Sequence, residues 1–115
     1  MNAVNHFPLT ILNTATTSTP IEVRDGCFQG VLIPAGFAGT ALTFEIQNGP
    51  SLTNNTWLPL YNGGTLYSLT VAASRAVMIP GTDKDLFEGV TRLRVIAGTA
   101  QSQDITLQGI VTEEC

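Results

Sequence analysis

Residues 40–47 read Thr-Ala-Leu-Thr-Phe-Glu-Ile-Gln, and this stretch decides the fold class. Leu42, Phe44 and Ile46 alternate with polar residues throughout it. Successive side chains of a β-strand point to opposite faces of the sheet, so a period of two predicts a strand with one buried face.

The same alternation recurs along the chain, in residues 65–72, 91–97 and 103–111. The rows predicted to face inward are Tyr67, Leu69 and Val71; Leu93, Val95 and Ala97; and Ile105, Leu107, Gly109 and Val111. Weaker strand patterns cover residues 8–13, 20–24, 27–33, 57–61 and 76–79, with Gly, Pro and Asn turn residues between them. We therefore predict an all-β fold, a β-sandwich or jelly-roll-like structure of about eight or nine short antiparallel strands.

Only residues 82–88 have the features of a helical turn. Thr82 or Asp83 would cap its start, and Gly89 would end it. We expect residues 1–115 to form a single domain, because this length suits one core. Residues 1–7 precede the first strand pattern and are expected to form a flexible N-terminal arm.

The low charge content of the sequence argues against nucleic acid as a partner. Charged residues make up 12% of the chain, the net charge is −4, and there is no cluster of basic residues. Nucleic-acid binding needs clustered Lys and Arg, so we expect none. The sequence also contains no apolar run of transmembrane length and no basic leader, so we expect no membrane contact and synthesis in a cytoplasm.

The chain has two cysteines, Cys27 and Cys115. Two are too few for a disulfide framework of the kind that holds small secreted domains together. We expect two free thiols, and an intramolecular bridge remains the alternative.

No group of residues predicts catalysis, a cofactor or a metal. His6 is the only histidine, and a catalytic role would require the arm to fold onto the core. Asp83, Asp85 and Glu88 lack the remaining ligands of a calcium loop, and complementing the dipole of a helical turn explains them better. We expect no enzyme activity and no bound cofactor or metal.

Two other groups could contact ligands or partners. Trp57, Tyr61 and Tyr67 could form a platform for a sugar ring, although packing in the core is the commoner role of such aromatics. Arg75, Arg92 and Arg94 could lie on neighbouring strands. There they would either pair with Glu22, Glu45 or Asp104 or act as interface anchors.

Taken in order, four stretches resemble small β-rich virion proteins of tailed bacteriophages that decorate or cement a capsid. The stretches are LIPAGFAGTALTFEIQ (32–47), WLPLY (57–61), YSLTVAASRAVMIP (67–80) and LFEGVTRLRVIAGTA (86–100). The resemblance spans roughly residues 30–110, which is most of the chain.

This resemblance implies a non-enzymatic protein that binds the major capsid protein or other virion proteins and stabilises the head. It also implies a homo-oligomer, most often a trimer, located on the capsid surface after synthesis in the host bacterium. The alternatives are a head-fibre, tail or adaptor component of the virion, or a carbohydrate-binding module.

Overall fold

The computed structural model describes residues 4–23, 26–47, 56–88 and 90–113. These residues form antiparallel strands packed as a β-sandwich, with one short 3₁₀ segment at Gly81–Phe87. The strands are β1 (Val4–Ile11), β2 (Ile21–Glu22), β3 (Cys27–Ile33), β4 (Ala41–Gln47), β5 (Leu58–Pro59), β6 (Tyr61–Asn62), β7 (Thr65–Leu66), β8 (Ser68–Thr70), β9 (Arg75–Met78), β10 (Arg92–Ala97) and β11 (Ile105–Thr112). The predicted all-β sandwich is confirmed.

Two sheets make up the sandwich. The first has the order β1-β11-β3-β9, and the second has the order β2-β10-β4-β5, with β8 also paired to β4. The strands β6 and β7 form a separate hairpin. None of the helical segments in the described part of the chain is long and apolar enough to cross a membrane.

The described residues contain more strands than we predicted because two predicted strands are each divided by a buried residue. Leu60 separates β5 from β6, and its N–H donates to Phe44 O at 2.9 Å. Tyr67 separates β7 from β8, and its N–H donates to Leu60 O at 3.0 Å. Between them the chain leaves the sheet in a hairpin that turns at Gly63, whose φ of +64° favours glycine.

The predicted alternation places the core correctly. The inward rows of β10 and β11 are buried, as are Tyr67, Leu69 and Val71. At the centre lie four aromatic rings, and Phe87 contacts the other three with centroids at 5.2 to 5.8 Å. The three are Phe28, Phe44 and Tyr67. Phe87 is fully buried, so the 3₁₀ segment is attached to the sandwich through its last residue.

The predicted helical turn is present as a 3₁₀ segment, but its predicted N-cap, Thr82 or Asp83, is wrong. Pro80 occupies the N-cap position without a side-chain cap, and Glu88 is the C-cap; Gly89 lies outside the described residues. Asp83 instead donates its N–H to Pro80 O at 2.9 Å. Its carboxylate accepts a hydrogen bond from Tyr67 across the core edge and so does not cap the segment.

The predicted N-terminal arm is wrong for Val4 to Phe7. These residues belong to β1, which pairs with β11 from Val4↔Thr112 to Ile11↔Ile105; residues 1–3 lie outside the described part. Pro8 does not interrupt the strand. Thr10, two residues on, forms hydrogen bonds through its N–H and its C=O to Thr19 and not to β11. The backbone nitrogen of Pro8 has the same orientation and faces the open edge of the sheet, so its missing N–H removes no hydrogen bond between the strands.

The expectation of two free thiols is wrong, because Cys27 is disulfide-bonded. No described cysteine is free. Cys115, the only other cysteine in the sequence, lies outside the described residues. The sequence had no framework pattern to indicate this bond, since a single pair of cysteines has no informative spacing.

Candidate functional site

The outward-facing side of the first sheet carries no charged residue at its strand positions. Three rows cross it in register: His6↔Ile110↔Gly30↔Met78, Pro8↔Gln108↔Leu32↔Ala76, and Thr10↔Thr106. We call these positions the neutral face.

Some apolar side chains of the neutral face are open to solvent, whereas Ile110 is buried. Met78 is 49% exposed and Leu32 is 36% exposed. Met78 also lies over Gly30, where an added Cβ would come within 2.8 Å of the Met78 sulfur and closer still to backbone. Glycine at this position therefore lets a flexible methionine lie flat on the sheet, and methionine is enriched at protein interfaces.

The outward-facing side of the second sheet is different, because it carries paired charges. Arg94 Nε donates to Glu45 Oε1 at 2.7 Å, across the β10–β4 register. The guanidinium carbon of Arg94 lies 4.5 Å from the ring centroid of Trp57, close enough for a cation–π contact. Arg94 is therefore held by an ion pair and an aromatic ring together.

Arg92 lies two residues earlier on β10 and contacts the same Trp57 ring, at 5.4 Å. Its Nη1 donates to Gln47 Oε1 at 2.9 Å, and its Nε is buried without a hydrogen-bond partner. Gln47 points outward as predicted but is only 7% exposed, in the cluster with Arg92. We call Trp57, Arg92, Arg94, Glu45 and Gln47 the Trp57 cluster.

The predicted grouping of arginines holds for Arg92 and Arg94 only. Arg94 pairs with Glu45, and Glu22 is the register partner of Arg92 on β2. Arg75 lies on β9, in the other sheet. Asp104, which we considered as an arginine partner, accepts the Asn13 N–H at 2.8 Å.

The predicted aromatic platform is not assembled. Tyr67 is buried in the core, and Tyr61 is half exposed on the β6–β7 hairpin. Trp57 is outside the core cluster, so the preferred core role is wrong for this residue; it lies against two arginines instead. Sequence reasoning could not place it, because a Trp beside an apolar run is compatible with either side of an edge strand.

Tyr67 has a structural role that the sequence did not indicate. Its hydroxyl donates to Asp83 Oδ2 at 3.1 Å. Burial of the phenol, together with this hydrogen bond and the Asp83 charge, raises the pKa of Tyr67 to about 12. The pair joins the residue that precedes β8 to the 3₁₀ segment.

The residues that the sequence offered for a catalytic or metal site lie apart from one another. His6 is exposed on β1, opposite Ile110. Asp85 and Glu88 are exposed, whereas Asp83 is engaged with Tyr67. Within the described ranges, no three His, Cys, Asp or Glu side chains are grouped as a metal site would require.

A cavity of about 520 Å³ lies at one end of the sandwich. It is lined by apolar Phe7, Val23 and Val111 and by acidic Glu22 and Glu113, among others. Its volume is in the range of small-molecule sites. Its lining comes from separate segments of the chain, so no local sequence signal could have indicated it.

Comparison with known proteins identifies no relative: no family model, no curated protein and no solved structure matches this chain.

Proposed function

We propose that this chain is a non-enzymatic structural protein of a bacteriophage virion, most directly a capsid decoration or cement protein that binds the major capsid protein and stabilises the head. The observation that carries the proposal is the neutral face, seen together with the resemblance of residues 32–47, 57–61, 67–80 and 86–100 to such proteins. The neutral face is the surface that we assign to the shell.

The composition of the neutral face supports this assignment. The centres of protein interfaces are depleted of charge, because a charge without a partner is costly to remove from water. A β-sheet face is also stiff, so docking on it orders few side chains and loses little entropy. Met78 and Leu32 are exposed on this face, where they would be covered on binding.

The size of the neutral face indicates how binding becomes tight. Ten positions, spaced ~4.8 Å apart between strands and ~6.8 Å apart along each strand, give a projected area of about 330 Å². One partner of a standard interface buries about 800 Å². Tight binding therefore needs further contact area from flanking loops, or several linked copies of the chain that bind together. A homo-oligomer provides such copies, and their avidity strengthens binding. The trimer implied by the resemblance remains part of the proposal.

The disulfide at Cys27 suits a protein that works on a particle surface. Disulfides persist in oxidising surroundings such as virion surfaces and are rare in the cytosol. Synthesis in the host cytoplasm followed by exposure on released particles accommodates this bond.

The carbohydrate-binding alternative loses support from the arrangement of the aromatic residues. A sugar platform needs accessible rings side by side. Tyr67 is buried, and Trp57 is contacted by Arg92 and Arg94. No observation favours a fibre, tail or adaptor component over the capsid shell, and the experiment below separates these positions.

The test uses particles of the phage that encodes this chain. Mass spectrometry of purified virions should detect the chain at a copy number comparable with that of the capsid protein, and cryo-EM should place it on the shell. Particles that lack the gene should lose DNA at a lower temperature and recover when purified protein is added. Absence of the chain from virions, or density at the tail alone, would contradict the decoration role.

A further inference from the structure

We propose that the Trp57 cluster is a second binding site, which takes a carboxylate from an Asp or Glu side chain of a protein partner. The site lies on the second sheet, whereas the neutral face lies on the first. It therefore stands independently of the assignment of the neutral face to the capsid shell.

The charges in the cluster do not balance within it. Glu45 offsets the charge of Arg94 through a direct ion pair. Arg92 donates to the neutral amide oxygen of Gln47 and forms no ion pair with a carboxylate of the described residues. The five residues of the cluster thus carry a formal charge of +1, with Glu22, the register partner of Arg92 on β2, beside them, on a chain whose net charge is −4. An anionic group is the complementary ligand.

The geometry prepares Arg92 to bind an anion. Its side chain is held by Gln47 at one nitrogen and by the Trp57 ring at 5.4 Å, so little rotamer freedom is left to lose. The other terminal nitrogen makes no hydrogen bond to the described residues. Guanidinium groups pair with carboxylates through short, charge-assisted hydrogen bonds.

The cluster favours a protein carboxylate over an acidic sugar. Trp and Arg are the residue types that dominate binding energy at protein interfaces. A sugar would need an open aromatic face, and Arg94 lies 4.5 Å from the Trp57 ring centroid. The neighbouring aromatic residues do not supply another platform, because Tyr67 is buried.

Trp57 is the only tryptophan of the chain, so its fluorescence reports on this site alone. The probes are a capped Gly-Glu-Gly-Glu-Gly peptide, its Gln counterpart and sodium glucuronate, each titrated at constant ionic strength. We expect a saturable change in Trp57 emission with the Glu peptide, with a Kd on the order of 1 mM, and no change with the Gln peptide.

Three variants make the result decisive. Arg92→Gln should weaken binding of the Glu peptide at least tenfold, and Arg92→Lys should weaken it several-fold, because a single ammonium group replaces the separate nitrogens that bind Gln47 and the ligand. Arg75→Gln removes the same charge from the other sheet and should bind like the unmodified protein. Circular dichroism and thermal unfolding confirm that each variant is folded.

No response to the Glu peptide, or an equal response in Arg92→Gln, overturns the proposal. Tighter binding of glucuronate than of the Glu peptide overturns the assignment of a protein partner and indicates an acidic glycan as the ligand. If Arg75→Gln also loses binding, the peptide responds to the net charge of the protein and not to this site. That result also overturns the proposal.

Discussion

Changing Gln108 to glutamate places one charge at the centre of the neutral face without changing the shape of the side chain. Gln108 lies on β11, between Pro8 on β1 and Leu32 on β3 in the sheet register. Its outward neighbours along β11 are Thr106 and Ile110. None of these residues is cationic, so the new carboxylate has no counter-charge among its immediate neighbours; the histidine of the face, His6, lies one row away on β1.

The expected cost differs between the free and the bound protein. Gln108 is partly exposed in the free chain, so Gln108→Glu should change the free energy of unfolding by no more than about 0.5 kcal/mol. On the shell, the carboxylate would be removed from water without a counter-charge among its immediate neighbours, at a cost of several kcal/mol. We expect a loss of about 3 kcal/mol, which corresponds to roughly 100-fold weaker binding.

The assay measures binding of purified protein to particles that lack the gene, by co-sedimentation over a concentration series. Gln103→Glu is the matched control, because Gln103 is exposed in the loop before β11 and receives the same substitution. The control should bind within about threefold of the unmodified protein. Binding of Gln108→Glu within the same threefold range would refute the assignment of the neutral face to the shell.

Three further predictions concern the fold itself. Phe87→Ala should lower the free energy of unfolding by about 3–5 kcal/mol in urea titrations, because it empties the centre of the aromatic cluster; a loss under 1 kcal/mol would contradict that role. The pKa of Tyr67 is raised from 10.0 to about 12, so the folded chain binds this proton more tightly than the unfolded chain does. The stability that the protonated Tyr67 contributes to the fold is therefore fully present below pH 10 and is lost between pH 10 and 12. In a Tyr61→Phe background, absorbance at 295 nm should titrate near pH 12, and a midpoint near 10 would show that the burial or the Asp83 contact is absent. Reductant should lower the Tm of the unmodified protein and leave that of Cys27→Ser unchanged, since the disulfide contributes about 2–4 kcal/mol; equal sensitivity of both proteins would argue against the bond.

The sandwich could be predicted because period-two alternation is a local property of the chain. Leu93, Val95 and Ala97 are buried whichever strands flank them, since burial of that row requires only that the strand has one covered face. The weaker strand pattern at residues 27–33, which lies between turn residues, also matches β3 (Cys27–Ile33) in both bounds. Reasoning from local patterns failed at β1, where pairing with the extended β11 recruits Val4 to Phe7 despite a weak local pattern.

The two candidate surfaces were only partly visible in the sequence. Arg92 and Arg94 were expected on one side of a strand because of their spacing of two, and the sequence left open whether they pair with carboxylates or anchor an interface. Trp57 joins them through the pairing of β5 with β4, which depends on where the chain turns at Leu60. The neutral face likewise combines residues from four strands that are far apart in the chain.

The sequence by itself determined that this chain is an all-β protein with sparse charge, because alternation and composition do not depend on which strands become neighbours. Only the tertiary structure decided how the charges are distributed between the two sheets. Strand order and register place Gln108 between Pro8 and Leu32, and Arg94 beside Glu45. Those contacts arise from long-range backbone pairing, which local residue patterns do not specify.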